Sequence, residues 1–186
     1  MHPIIVIALV ILLYPAEARG TPPHAFPASH SANGYELTLR GTAVLRYMIF
    51  IRAYEGAFYL DRDKPVQNAL DDQAARKLVL RYFHAIKAPD FADATTEMIR
   101  RNVDADLFSA LLPGLEQFNA LYKDVRPGDY YTATYIPGAG LELSLNGEKL
   151  GIADDPGFAA AFFSIWIGKN PIDKTFRNRL LGKARP

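Results

Sequence analysis

Two arginines, Arg46 and Arg52, interrupt the segment from Arg46 to Leu60, the most apolar stretch of the chain outside its first residues. A guanidinium stays charged at neutral pH and grips a carboxylate or phenolate through paired N–H donors. Set among aromatic and aliphatic side chains, it requires an anionic partner. Enrichment in Ile, Phe and Tyr favours a strand here over a helix. Counted by two as one strand, Arg46, Met48, Phe50, Arg52, Tyr54, Gly56, Phe58 and Leu60 share a face. One reading is a pocket whose arginine receives an anion from a ligand. The other is a solvated face, or an internal pair between Arg52 and Glu55.

His84 is the second residue able to do chemistry. The run Lys77 to Ile86 alternates, with Leu78, Leu80, Tyr82, His84 and Ile86 on one side. As the only histidine of the expected folded body, His84 is either an axial ligand or base, or a hydrogen-bonded structural residue. His24 and His30 lie in residues 19–33, a Pro-, Ala- and Ser-rich stretch without apolar period. With no third ligand nearby, that stretch reads as a solvated, flexible lead-in rather than a metal site. The chain contains no cysteine, which removes thiolate nucleophiles, thiolate metal sites and iron–sulfur clusters. A formal charge of +1 supplies no footprint for a phosphate backbone, so no nucleic-acid partner is expected. Dinucleotide, phosphate-loop, zinc-protease and nucleophile-elbow motifs are absent from the sequence.

These residues need a scaffold, and the pattern outlines one. Tyr35, Leu37 and Leu39 alternate with polar residues, and Gly41 permits a bend. The middle is helical: Asp90 or Asp93 caps one helix, and Asp104 caps a second that Pro113-Gly114 should kink or divide. Strands return from Tyr130 to Ile136, Leu141 to Leu145 and Glu148 to Ile152, with Asn146-Gly147 marking a type I′ hairpin. Asp155 and Pro156 start a helix carrying Phe158, Phe162, Ile165 and Trp166, and Gly168 ends it. Asp173 caps a short last helix closed by Gly182. Strands, helices, hairpin, helices is the order of an α+β fold, an antiparallel sheet with helices on one face.

At the amino terminus, Ile4 to Tyr14 is uninterrupted and apolar, too short to span a bilayer core that needs about 20 residues. Ala16-Glu17-Ala18 follows it with the small-x-small spacing of a signal-peptidase site. The expected organisation is a signal peptide over 1–18, a lead-in over 19–33 and one domain over 34–186. That places the chain in the periplasm or outside the cell, with no stable membrane span once the signal is cleaved.

The stretch LRGTAVLRYMIFIRAYEGAFYL and the tail FAAAFFSIWIGKNPIDKTFRNRLLG resemble the bacterial branch of the chalcone isomerase-like family. With the section between them, the resemblance covers about residues 35 to 182. It implies an open-faced β-sandwich, in which a large antiparallel sheet carries a helical layer over an apolar cleft. In the plant enzymes an arginine on an early strand holds the phenolate that closes onto the enone. The matching position is Arg46. The plant tyrosine and asparagine fall at Thr95 and Asn102, and two threonines at Tyr54 and Ile165. Of that catalytic set only Arg46 and Asn102 match, which speaks against chalcone cyclisation.

Other branches of the family bind fatty acids or haem. The resemblance and the cation pattern together imply a small amphipathic carboxylate or phenolate ligand. Arg46 and Arg52 would serve its charged end, and Tyr54, Phe58, Phe162, Ile165 and Trp166 would form the wall. No cofactor is required. Haem is the variant ligand, with His84 or a tyrosine as candidate iron ligand. The alternatives are an intramolecular lyase or isomerase acting on a chalcone-like enone through Arg46 and Asn102, and a purely structural or assembly protein.

Overall fold

A computed structural model describes residues 26–47 and 51–183. The expected signal segment, Arg19 and His24 lie outside them, as do residues 48–50, which include Met48 and Phe50. Seven strands form one antiparallel sheet in sequence order: β1 (Ser29–Ala32), β2 (Tyr35–Tyr47), β3 (Ile51–Asp61), β4 (Arg76–Tyr82), β5 (Tyr130–Ile136), β6 (Gly140–Leu145) and β7 (Glu148–Ala153). Helices α1 (Ala88–Arg100) and α2 (Ala105–Asn119) join β4 to β5, while α3 (Pro156–Ile167) and α4 (Lys174–Leu180) follow β7. The sheet curls into an open half-barrel, so that β1 residues and Lys149 and Ile152 of β7 border one hollow. This is the α+β, helix-layered sheet that the pattern predicts.

Strand alternation sorts the side chains into two cores. Phe58, Leu60, Leu78, Leu80, Leu141 and Leu143 face the helices and pack with Ile99, Leu115, Phe118, Phe158 and Phe163. Their neighbours Leu37, Ala57, Tyr59, Ala75, Val79 and Ile136 form a smaller cluster on the opposite face. Helix α3 is buried almost all round rather than along one stripe, as befits a helix sandwiched between the sheet and other helices. Its Asp155 cap accepts from Gly157 N at 2.7 Å, and Asp104 caps α2 through Leu107 N at 2.8 Å.

Helix α4 reaches the sheet because two strand residues lack side chains. A Cβ on Gly41 would collide with the carbonyl oxygen of Arg179, and one on Gly56 would sit 2.8 Å from the Phe176 ring. Gly41 therefore serves close approach, and β2 continues through it with a register shift between Leu39 and Gly41.

The structure corrects several expectations. Residues 26–33 are not a free lead-in. Asn33 (φ 46°) and Gly34 (φ 82°) form a tight hairpin turn that pairs β1 with β2, and His30 stands opposite Leu37. Arg46 to Leu60 is not one strand, because the chain reverses between Tyr47 and Ile51. The face counted through both halves is thus two strands side by side. Strand β4 ends at Tyr82, so His84 lies beyond it. Helix α1 begins at Ala88, before either expected aspartate cap: Asp124 accepts from Ala88 N at 2.9 Å and pairs with Lys87 at 2.8 Å, closing the helix end from another element. Pro113 leaves α2 continuous. Ser109 and Pro113 are both exposed, on the solvent side of the helix, where a carbonyl that the ring cannot serve is not buried.

Candidate functional site

Between the sheet and the helices lies a cavity of about 350 Å³. Strands β2 to β4 supply Leu45, Tyr54, Leu80 and Tyr82, while α1 supplies Phe91, Thr95 and Met98. Phe162, Ile165 and Trp166 come from α3, and Tyr122 and Tyr131 close the far wall. The volume falls at the lower end of ordinary small-ligand pockets. Among the described residues, the charged ones in the lining are Arg46, Asp90 and Asp173, all exposed.

Aromatic rings surround this space edge to face. Tyr82 lies 5.6 Å from Tyr54, 5.2 Å from Phe91 and 6.1 Å from Tyr131 by ring centroids. Phe162 bridges Phe118 at 5.0 Å and Trp166 at 5.2 Å. Such contacts favour tilted rings and give the cavity stiff walls. Most of the phenols are engaged by protein: Trp166 Nε1 donates to Tyr54 Oη at 3.0 Å, Tyr122 shares a 2.8 Å hydrogen bond with Thr95, and Tyr131 donates to Lys123 O at 2.8 Å. Tyr82, though buried, has no hydrogen bond to its hydroxyl among the described residues. Burial pushes the Tyr54, Tyr82 and Tyr122 phenols well above their usual value, so they remain neutral donors at physiological pH.

Arg46 stands at the mouth, directly opposite Arg52 across the β2–β3 hairpin. Like charges in that relation repel. Arg52 stacks over Phe83 at 4.2 Å and is not in the cavity lining. The expected Arg52–Glu55 pair does not form; Glu55 accepts from Arg81 at 2.9 Å. The two carboxylates near the mouth already serve helix starts: Asp173 accepts from Phe176 N at 2.6 Å, and Asp90 from Lys87 N at 3.4 Å.

Of the remaining expected residues, Tyr54, Phe162, Ile165 and Trp166 line the cavity, whereas Phe58 is fully buried core beside it. Asn102 points its amide elsewhere, donating to Met98 O and Asn170 O and accepting from Asn170 N at 3.1 Å. It fastens the loop after α3. His84 is not in the lining, and among the described residues no other histidine is, so these residues offer no imidazole to a haem iron in this cavity. Sequence reasoning missed Tyr82, Phe91, Tyr122 and Tyr131. Tyr82 was visible in the alternation with Leu78 and Leu80; Phe91 of α1, Tyr122 of the loop after α2 and Tyr131 of β5 converge only through tertiary packing.

The comparisons with known proteins agree with this architecture. A family model described as chalcone isomerase-like matches residues 21–182. The crystal structure of a fatty-acid binding protein of Arabidopsis thaliana superposes with a TM-score of 0.68 at 16% identity, covering 84% of this chain and 91% of that one. No curated protein matches the sequence. By the extent of the family match and the shared helix-layered sheet, the chain belongs to the chalcone isomerase-like family.

Proposed function

We propose that this protein binds a small amphipathic acid, a fatty acid or an aromatic carboxylate or phenolate, without transforming chalcones. The apolar body occupies the cavity between sheet and helices, and the anionic head meets Arg46 at the mouth. The observation that carries this reading is the lining itself: aromatic and aliphatic walls, one cation whose partner is not supplied by the protein among the described residues, and the unengaged hydroxyl of Tyr82. Each methylene buried there contributes about 0.8 kcal/mol, so chain length within the cavity's volume governs affinity. The fatty-acid binding neighbour supports the ligand class. The apolar run Ile4 to Tyr14 followed by Ala16-Glu17-Ala18 supports export to the periplasm or beyond.

The test is extraction of the purified full chain with organic solvent and mass spectrometry of the extract, with displacement of a fluorescent fatty acid as the binding assay. A co-purified acid, and an affinity loss of about tenfold for Arg46→Ala, are expected from losing a charge-assisted contact. An empty extract together with no saturable displacement overturns the reading; unchanged affinity in Arg46→Ala overturns the anchor.

A further inference from the structure

A second cavity lies on the face of the sheet turned away from the helices, and its lining is polar. Tyr59, Lys77, Thr134 and Glu142 stand in register across β3, β4, β5 and β6, and therefore on one face. Val79, Thr132 and Ser144 form the adjacent row. From β1, the His30 ring meets Tyr59 edge-on with centroids 4.6 Å apart. The space enclosed is about 380 Å³, and an adjoining hollow shares His30, Lys77, Thr134 and Glu142.

Three groups here lack the partners their burial calls for. Tyr59 is fully buried, and neither its Oη nor His30 Nε2, both shielded from solvent, has a hydrogen-bond partner among the described residues. Lys77 is half-buried without an ion pair among those residues. The other charges are answered: Glu142 by Lys149 at 3.4 Å and Glu55 by Arg81 at 2.9 Å. Among the described residues the Lys77 charge is left without an ion pair. Burial lowers the pKa of both Lys77 and His30; Glu142 partly restores the first, and the Lys77 charge depresses the second further.

We infer that this cavity binds a small oxyanion, carboxylate or phosphate, whose charge rests on Lys77 and whose oxygens accept hydrogen bonds from Tyr59 Oη and His30 Nε2. The chemistry is shared by both oxyanions: an excess cation flanked by two donors in a half-open, hydroxyl-lined hollow. The sheet separates this site from the apolar cavity, so oxyanion binding here does not depend on the fatty-acid reading.

The experiment titrates inorganic phosphate and, separately, succinate into the isotope-labelled full chain, with chloride at matched ionic strength as control. Saturable shifts at His30, Tyr59, Lys77 and Thr134 are expected, and the probe that binds more tightly identifies the oxyanion class. Lys77→Gln should weaken binding about tenfold, and Tyr59→Phe, which keeps the ring packed on His30, by a smaller factor with a native melting transition. No saturable shift with either probe, shifts that chloride reproduces, or undiminished binding in a folded Lys77→Gln overturns the inference.

Discussion

Tyr54 and Tyr59 sit five residues apart on β3, both buried, and face opposite sides of the sheet. The Tyr54 hydroxyl accepts the Trp166 indole N–H at 3.0 Å in a ring of aromatic side chains. The Tyr59 hydroxyl has no partner among the described residues, with Lys77 opposite it on β4. On the helix side, then, most polar atoms are consumed by protein and the space is defined by shape. On the other side polar atoms and a charge are left unspent. A ligand gains chiefly from apolar burial in the first case, with Arg46 at the mouth and the Tyr82 hydroxyl as the polar exceptions, and from hydrogen bonds and Coulomb attraction in the second.

That contrast can be broken in several places. Gly41→Val drives a side chain into the backbone of α4, and should cost more than about 3 kcal/mol, enough to leave little folded protein by circular dichroism. A variant that melts like the parent would show that α4 does not hold the helix layer to β2.

Alkaline pH probes the buried phenols next. In the unfolded chain tyrosines ionise from pH 10.0, whereas folded Tyr54, Tyr82 and Tyr122 keep their protons. Unfolding therefore releases protons above that pH, and stability falls. Arg76, fully buried between Tyr135 and Phe163, is pushed down to about 10 and acts oppositely, because the folded form sheds its proton first. Tyr59, Tyr131 and Tyr135 act in the same direction as these phenols and Lys77 in the direction of Arg76, so stability falls on balance, by more than about 1 kcal/mol per pH unit above pH 10. Urea unfolding followed alongside tyrosinate absorbance measures it; a flat profile there contradicts the phenol assignment.

Tyr54→Phe removes the acceptor of the Trp166 indole and should cost about 1–2 kcal/mol, with a shift in tryptophan emission. The oxyanion site should be untouched. The mildest change, Gly34→Ala, strains the left-handed position of the first hairpin by about 1 kcal/mol. Amide exchange should quicken in β1 and phosphate binding weaken, while fatty-acid displacement stays as in the parent. Equal effects on both ligands would mean that the two faces are not separate.

Local chemistry made much of this molecule legible from its residues. Period-two alternation in Tyr130 to Ile136 and Leu141 to Leu145 marked strands that are there, and Asp104, Asp155 and Asp173 cap the helices they announce. Trp166, Phe162, Ile165 and Tyr54 were recognisable as wall because apolar side chains at the right period must face a core or a cavity. The Asn-Gly signal that marked Asn146-Gly147 also stands at Asn33-Gly34, where low apolar content hid a strand that uses one edge of its partner and buries little. What the chain's own order could not reveal is which groups meet across distance. Asp124 closes α1, Asn102 holds Asn170, and Arg46 faces Arg52 across a reversal of the chain. Lys77, Tyr59 and His30 come together only because the sheet curls and strand register is set by all the strands at once, so that site exists in the tertiary structure and nowhere in the sequence pattern.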